Sequence, residues 1–428
     1  MNKALWDTIR GYFYFLKMIA GSFVYIKPKD KKNILFIAWY LPPSISSGVY
    51  RPLSLIKYAG EKKIKLSCIS GPLEGEVGIS GKYLEDKLPH NIPIKKIHQL
   101  NLRPSWKFFP RIQENTLIDA LAIYFQAIDI YDKAPPKIII ATGPPFSDFI
   151  AATFLAKRYS CKLVLDYRDE WSERPFDFVG KNIYDRLFEE ICLKHSDAVI
   201  FTTKSQIAHQ LSVFSFLNKN KCHYIPNGWD GQFSAWDKEC EIKESQNKII
   251  ISFVGYLGAH SKPGDFLESI GKIIDKNKNL NLVIRFIGEI GPDCRLIIER
   301  FKYKEVVEII GHVPKPRALR YMQESTYLLL LAEESLSRYR PGKLYDYISS
   351  LKPTIVYGYE GEVRDVVCSL NAGFFVRKGD WGSLEEILLD RNNSIFSGEV
   401  KEKIRNWVNN HERSVLAESF FNVVNNLT

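Results

Sequence analysis

The chain has 428 residues, 45% hydrophobic and 25% charged, enough for two or three domains with a sizeable core; this composition excludes collagen, wholesale disorder and a small disulfide scaffold. With 59 Lys and Arg against 49 Asp and Glu the formal charge is +10, which favours an anionic partner: a nucleotide diphosphate, an acidic lipid surface or nucleic acid. No run of about 18 uncharged apolar residues predicts a spanning helix, and seven scattered cysteines without a Cys-x-x-Cys pair predict neither a zinc site nor a disulfide framework, as in the reducing cytosol.

The first element is unusual. Ala4 to Ile26 is apolar and aromatic (Trp6, Tyr12, Phe13, Tyr14, Phe15, Phe23, Tyr25), interrupted by Asp7, Arg10 and Lys17. Those charges argue against a spanning helix and suit one lying in a membrane interface, with its rings at headgroup depth. They also argue against a cleaved signal, as does the lack of a small-residue cleavage site. Lys27, Lys29, Lys31 and Lys32 follow, and each cation beside an anionic leaflet adds about 1 kcal/mol. A helix packed on the protein's own lobe is the alternative. The segment 1–32 is read as this amphipathic element.

Strands then alternate with helices. Asn33–Trp39 has the length and apolar continuity of a strand buried on both faces. A Pro/Ser/Gly loop and a helix from about Val49 to Gly60 follow. Strands are predicted at Ile64–Ile69, Lys137–Ala141, Lys162–Asp166, Ala198–Thr202 and Cys222–Ile225, with helices at about Ser147–Tyr159 and Ile183–Lys194. Such alternation implies right-handed crossovers and a parallel sheet. Gln232–Gln246 is polar and aperiodic, hence a linker. A second series has strands at Lys248–Val254, Asn281–Ile287, Val306–Ile310, Tyr327–Leu331 and Thr354–Tyr357, and helices near Arg317–Gln323 and Gly342–Ser350. Trp407–Leu427 reads as one amphipathic helix. The fold class is therefore α/β, two Rossmann-like doubly wound lobes facing a cleft, with domains at 33–235 and 236–405 and a C-terminal helix at 406–428 packing back on the first. In such sheets ligands bind beyond the carboxyl ends of the strands.

Those ends carry the chemistry. Arg338-Tyr339-Arg340-Pro341-Gly342-Lys343 opens a helix, with Pro341 suited to its first position. Free amides and the positive dipole end make an anion site, with Arg338, Arg340 and Lys343 around it. Asp346, three residues after Lys343, shares its face and could accept from a ribose diol. A solvated basic loop with an ordinary Lys–Asp pair is the alternative. The loop 255–264 offers Gly255 and Gly258 for close backbone approach and Lys262 to reach phosphate, without a Walker A or Gly-x-Gly-x-x-Gly pattern. In the first lobe, Asp166-Tyr167-Arg168-Asp169-Glu170-Trp171 ends a strand. Asp169 could act as a base or orient a hydroxyl, or Arg168 could simply be held between carboxylates. Ser46, Ser47, Gly48 and Arg51 lie on the same rim. No metal-ligand spacing, nucleophile elbow or nucleic-acid motif occurs.

The order of these motifs resembles glycosyltransferase family 4, over about residues 33–425. The motifs are Tyr40-Leu41-Pro42-Pro43 with Ser47-Gly48 and Arg51; Ala141-Thr142-Gly143-Pro144-Pro145-Phe146-Ser147; Asp166 to Trp171; Ile225-Pro226-Asn227-Gly228-Trp229-Asp230; Phe253-Val254-Gly255-Tyr256-Leu257-Gly258; Gly311-His312-Val313; and Pro341 to Tyr347 with Lys352-Pro353. The resemblance implies a GT-B fold and retaining sugar transfer, needing no metal or other cofactor, from a nucleotide-diphosphate sugar to a glycan or lipid-linked acceptor. It implies bacterial surface polysaccharide synthesis, O-antigen or capsule among them, by a cytoplasmic protein held peripherally on the inner face of the cell membrane. Donor contacts fall to Gly255, Gly258, Lys262, Arg338, Arg340, Lys343 and Asp346. Acceptor contacts fall to Ser47, Gly48, Arg51, Gly143 and Asp169, and the reaction centre to Asp169, Arg168 and Lys343. The chain departs from the family's Glu-x7-Glu, with Arg338 and Asp346 at those positions, and has Tyr256 where a basic residue often stands. A nucleotide-sugar 2-epimerase of the same fold and a non-catalytic sugar-nucleotide or glycan-binding subunit are the competing readings. Nucleic acid is not an expected partner.

Overall fold

The computed structural model describes residues 3–28, 33–72, 79–105, 107–110, 117–175, 183–230, 248–390 and 395–427. The expected linker 232–246 and Lys29, Lys31 and Lys32 lie outside them. Two compact units form: residues 1–226 with 416–428, and residues 227–415. The chain thus changes unit at 226/227 and 415/416, where the sequence reading placed domain limits at 235/236 and 405/406.

The first unit starts with α1 (Lys3–Gly21). Its sheet comprises β1 (Ile34–Ala38), β2 (Leu66–Ser70), β3 (Ile94–Lys96), β4 (Ile138–Gly143), β5 (Lys162–Tyr167), β6 (Ala198–Phe201) and β7 (Cys222–Tyr224). Between them run α2 (Tyr50–Glu61), α3 (Ile79–Glu85), α4 (Leu117–Tyr131), α5 (Ser147–Tyr159), α6 (Ile183–His195) and α7 (Lys204–Val213). All pairings are parallel, in the order β3-β2-β1-β4-β5-β6-β7. The continuous apolar runs follow from burial on both faces. On β1, Leu35 and Ile37 enter a core shared with α4 and α5, while Ile34, Phe36 and Ala38 enter another completed by Ala417, Phe420, Phe421 and Val424.

The second unit repeats the plan with β8 (Ile249–Val254), β9 (Leu282–Ile287), β10 (Val307–Gly311), β11 (Tyr327–Ala332), β12 (Thr354–Gly358) and β13 (Gly373–Arg377). Its helices are α8 (Gly264–Lys276), α9 (Pro292–Arg300), α10 (Lys315–Glu324), α11 (Gly342–Ser349), α12 (Glu362–Leu370), α13 (Trp381–Leu389) and α14 (Gly398–Asn410). The order is β10-β9-β8-β11-β12-β13. Strand order reverses between β1 and β4 in one sheet and between β8 and β11 in the other. At such switch points the loops diverge to opposite faces and open a ligand crevice.

The C-terminal segment departs from the single helix expected. α14 stops at Asn410, and α15 (Arg413–Asn425) begins two residues after His411. The cause is Trp229: its N–H donates to the His411 carbonyl (3.2 Å) and its carbonyl accepts from Arg413 N–H (3.0 Å). Backbone groups taken up by that bridge are lost to the helical ladder.

Candidate active site

In the first unit, Arg168 organises the switch-point loops. Nη1 donates to the Gly48 carbonyl (2.7 Å), Nε to that of Gly143 (3.3 Å) and Nη2 to that of Pro144. The guanidinium therefore fastens the loop after β1 to the loop after β4 and brings Gly48 and Gly143 together, with Ser47 exposed beside them. A Cβ on Gly48 would sit 2.4 Å from Arg168 Nη1, so a larger residue there would push the guanidinium off these carbonyls. Asp169 follows, half-buried. Burial, and secondarily Glu170, raises its carboxyl pKa against the opposing pull of Arg168.

Arg51 has another part. It grips the buried Asp166 carboxylate through Nε (3.0 Å) and Nη2 (2.8 Å) and donates Nη1 to the Pro226 carbonyl (2.8 Å); Thr142 Oγ1 completes Asp166 at 2.8 Å. Such a bidentate pair fixes geometry, so Arg51 and Asp166 act as a strut beneath the site and the Arg51 guanidinium is already engaged. Trp171 and Ser172 are likewise anchored to α6, by Asp185 (3.0 Å) and Glu189 (2.8 Å). Sequence reasoning missed Asp148, in the first turn of α5. Its Oδ2 accepts from Trp39 N–H at 2.8 Å, and burial pushes its carboxyl up to about 8.

In the second unit, Lys343 sits in the first turn of α11 with its Nζ 3.7 Å from the centroid of the Phe253 ring. A Cβ on Gly255 would lie 3.2 Å from that Nζ, so the ammonium rests on the glycine loop after β8. Gly255 has φ +115°, a conformation that favours glycine. Tyr347, one turn on, accepts from Val254 N–H at 2.7 Å and locks α11 to the end of β8. Lys343 is half-buried, and burial alone drives its pKa down to about 7. Among the described residues no carboxylate forms an ion pair with it. The amino end of α11, whose Pro341 cap makes no side-chain hydrogen bond, adds free amides.

The other predicted donor residues divide. Gly258 is in the same loop, where a Cβ would meet the Tyr256 ring at 2.2 Å; Lys262 is exposed beyond it. Arg340 pairs with Glu362 at 2.5 Å, and Glu362 N–H donates to the Ser337 carbonyl at 2.8 Å. Arg340 is thereby engaged in binding its loop to α12, while Arg338 is half-buried in that loop. Asp346 accepts from Lys315 at 3.3 Å; Lys315 also reaches Asp230 at 2.6 Å, and Arg413 holds the other oxygen of Asp230. Burial opposes the Lys315 charge, but Asp346 and Asp230 outweigh it and raise its pKa. Sequence spacing alone did not reveal Lys315. Among the described residues no three His, Cys, Asp or Glu side chains cluster at metal-binding distance.

Two parallel doubly wound sheets, each with its polar residues at the switch point, are the Rossmann-like lobes of the GT-B fold. No protein-family model and no curated protein matches the chain. Solved structures do. HepE of Anabaena in complex with UDP is 12% identical, with TM-score 0.63 over 92% of this chain and 100% of that one. The lipopolysaccharide outer core galactosyltransferase WaaB is 15% identical, with TM-score 0.59 over 92% and 100%. Sucrose-phosphate synthase of Thermosynechococcus elongatus is 13% identical, with TM-score 0.64 over 92% and 99%. At these identities the likeness is one of fold.

Proposed function

We propose that the chain is a retaining glycosyltransferase that takes a sugar from a nucleotide-diphosphate donor and works on a glycan or lipid-linked acceptor at a membrane surface, in bacterial surface polysaccharide synthesis. The observation that carries this reading is Lys343: a half-buried ammonium without a carboxylate partner among the described residues, resting on Gly255 beside the amino end of α11. An uncompensated cation in that position costs stability, and a diphosphate compensates it.

In the reaction the bond from the sugar's anomeric carbon to the β-phosphate oxygen breaks, its electron pair leaving on phosphate. A new bond forms from that carbon to the acceptor hydroxyl oxygen, whose proton departs. Lys343 and the α11 amides stabilise the charge growing on the leaving oxygen; removing one such donor costs about 3 kcal/mol. The reading assigns this charge to protein groups and calls for no metal. Asp346 takes the ribose diol, and Gly48, Gly143 and Asp169, gathered by Arg168, line the acceptor side, with Asp169 as proton acceptor. GT-B neighbours that hold UDP support a nucleotide donor.

The test is a thermal-shift screen of nucleotide sugars, then turnover of the best binder by wild type, Lys343→Ala and Lys343→Arg, with and without membrane extract as acceptor source. Acceptor-dependent release of nucleotide diphosphate, lost in Lys343→Ala, is expected. Interconversion of the sugar without acceptor would establish the epimerase reading instead.

A further inference from the structure

The inner face of α1 is fully used by its own lobe. Met18 is buried, Asp7 accepts from Arg103 N–H (3.1 Å) and Thr8 from Ser105 N–H (2.9 Å), and Tyr12 donates to the Phe108 carbonyl (2.6 Å). Phe15 meets Phe188 of α6 edge-on, 6.1 Å between centroids. So α1 is docked on its lobe, and its opposite arc still exposes Leu5, Trp6, Ile9, Phe13 and Leu16, the last 62% exposed. Positions 5, 9, 13 and 16 fall on one side of a 3.6-residue helix. The neighbouring α6, which meets α1 through Phe188, also exposes apolar side chains. On α6, Ile183 (79%) and Leu187 (52%) are exposed one turn apart.

Cations accompany the exposed rings. Lys17 lies over Phe13 at 4.4 Å and Lys157 over Phe23 at 5.5 Å, while on α6 Lys194 lies over Phe216 at 4.7 Å and also pairs with Glu190 at 3.4 Å. The exposed residues of α1 include Lys3, Arg10 and Lys17 and no acid, since its one carboxylate, Asp7, points inward. Apolar side chains rimmed by cations match a lipid interface, where the rings enter the headgroup layer and ammonium groups meet phosphate.

We infer that the first lobe docks on an anionic bilayer through two helices at once, α1 and α6, and is thereby fixed in one orientation rather than tethered by a terminal segment. This deepens, and rests on, the proposed action at a membrane surface. Exposed apolar side chains on α6 are what a single-helix tether leaves unexplained.

The experiment is co-sedimentation of the full chain with phosphatidylglycerol-containing or pure phosphatidylcholine vesicles, for wild type, Ile9→Glu/Leu16→Glu and Ile183→Glu/Leu187→Glu. Far-UV circular dichroism and UDP binding serve as folding controls. Binding that requires the anionic lipid, and falls at least about tenfold in each double variant with UDP binding unchanged, is the expected result. Loss in the α1 variant alone would overturn the two-helix inference and leave the membrane reading standing. No vesicle binding by wild type, with self-association instead, would overturn both and assign these exposed apolar side chains to copies of the chain.

Discussion

Lys343→Met tests the donor site at its most exposed point. A charged group hydrogen-bonded to an anion is worth roughly 1.5–3 kcal/mol, so the variant's Kd for the donor should rise roughly 10- to 150-fold at pH 6. The same lysine carries a pH signature. With its pKa held near 7 by burial, roughly 90% of wild type is charged there at pH 6 and roughly 10% at pH 8. A diphosphate that binds only the ammonium form is therefore held about tenfold more weakly at pH 8 than at pH 6, with a proton taken up on binding. A sugar diphosphate has no proton to lose in this range, so the effect belongs to the protein. Stability moves the other way. The folded pKa lies below the unfolded value, so the unfolded chain binds more protons between about pH 7 and 10.5 and stability rises with pH across that window. Lys343→Met removes the cost of the buried charge, about 5 kcal/mol as an upper figure at low pH, so it should stabilise the second lobe while weakening binding. Calorimetry with the best-binding nucleotide sugar at pH 6 and 8, alongside thermal melts, measures both. Equal affinities at the two pH values in wild type and variant would refute the reasoning.

Asp148, lifted to about 8 by burial, holds its proton in the folded state between about pH 4 and 8, so the first lobe loses stability as pH rises through that window. Asp148→Asn should flatten the profile and melt higher than wild type at pH 9 in a calorimetric series. Lys315→Met frees Asp346 and leaves Asp230 to Arg413 alone; a several-fold higher donor KM with kcat little changed is expected, restored by Lys315→Arg, and steady-state kinetics decide. Gly48→Ala places a Cβ 2.4 Å from Arg168 Nη1. Overpacking of this kind costs about 1–3 kcal/mol, and acceptor-side kcat/KM should drop while donor affinity measured by calorimetry holds.

What the sequence discloses, and what it hides, follows from where the information lies. The eleven strands read from the sequence were legible because burial on both faces writes them as apolar runs, as in Ile138–Gly143 and Tyr327–Ala332, whereas the half-buried edge strands β3 and β13 carry no such run and escaped notice. α4 escaped notice because it is buried nearly all round and shows little amphipathic period. The break at His411–Glu412 has no glycine or proline to mark it, since its cause is Trp229, distant in sequence. At the site, the loops and Lys343 were legible from the strand-to-helix pattern. Arg51 and Arg340 looked like free cations because their partners, Asp166 and Glu362, lie far along the chain. Of the two readings of α1, packing on its own lobe holds for the inner arc, and the outer arc is exposed.

The most direct measurement of the central claim is a crystal structure of the chain soaked with UDP. The account predicts the β-phosphate within about 3 Å of Lys343 Nζ and the backbone amides that open α11. A nucleotide seated elsewhere, with Lys343 still resting on Phe253 and Gly255 and touching no phosphate, would contradict it.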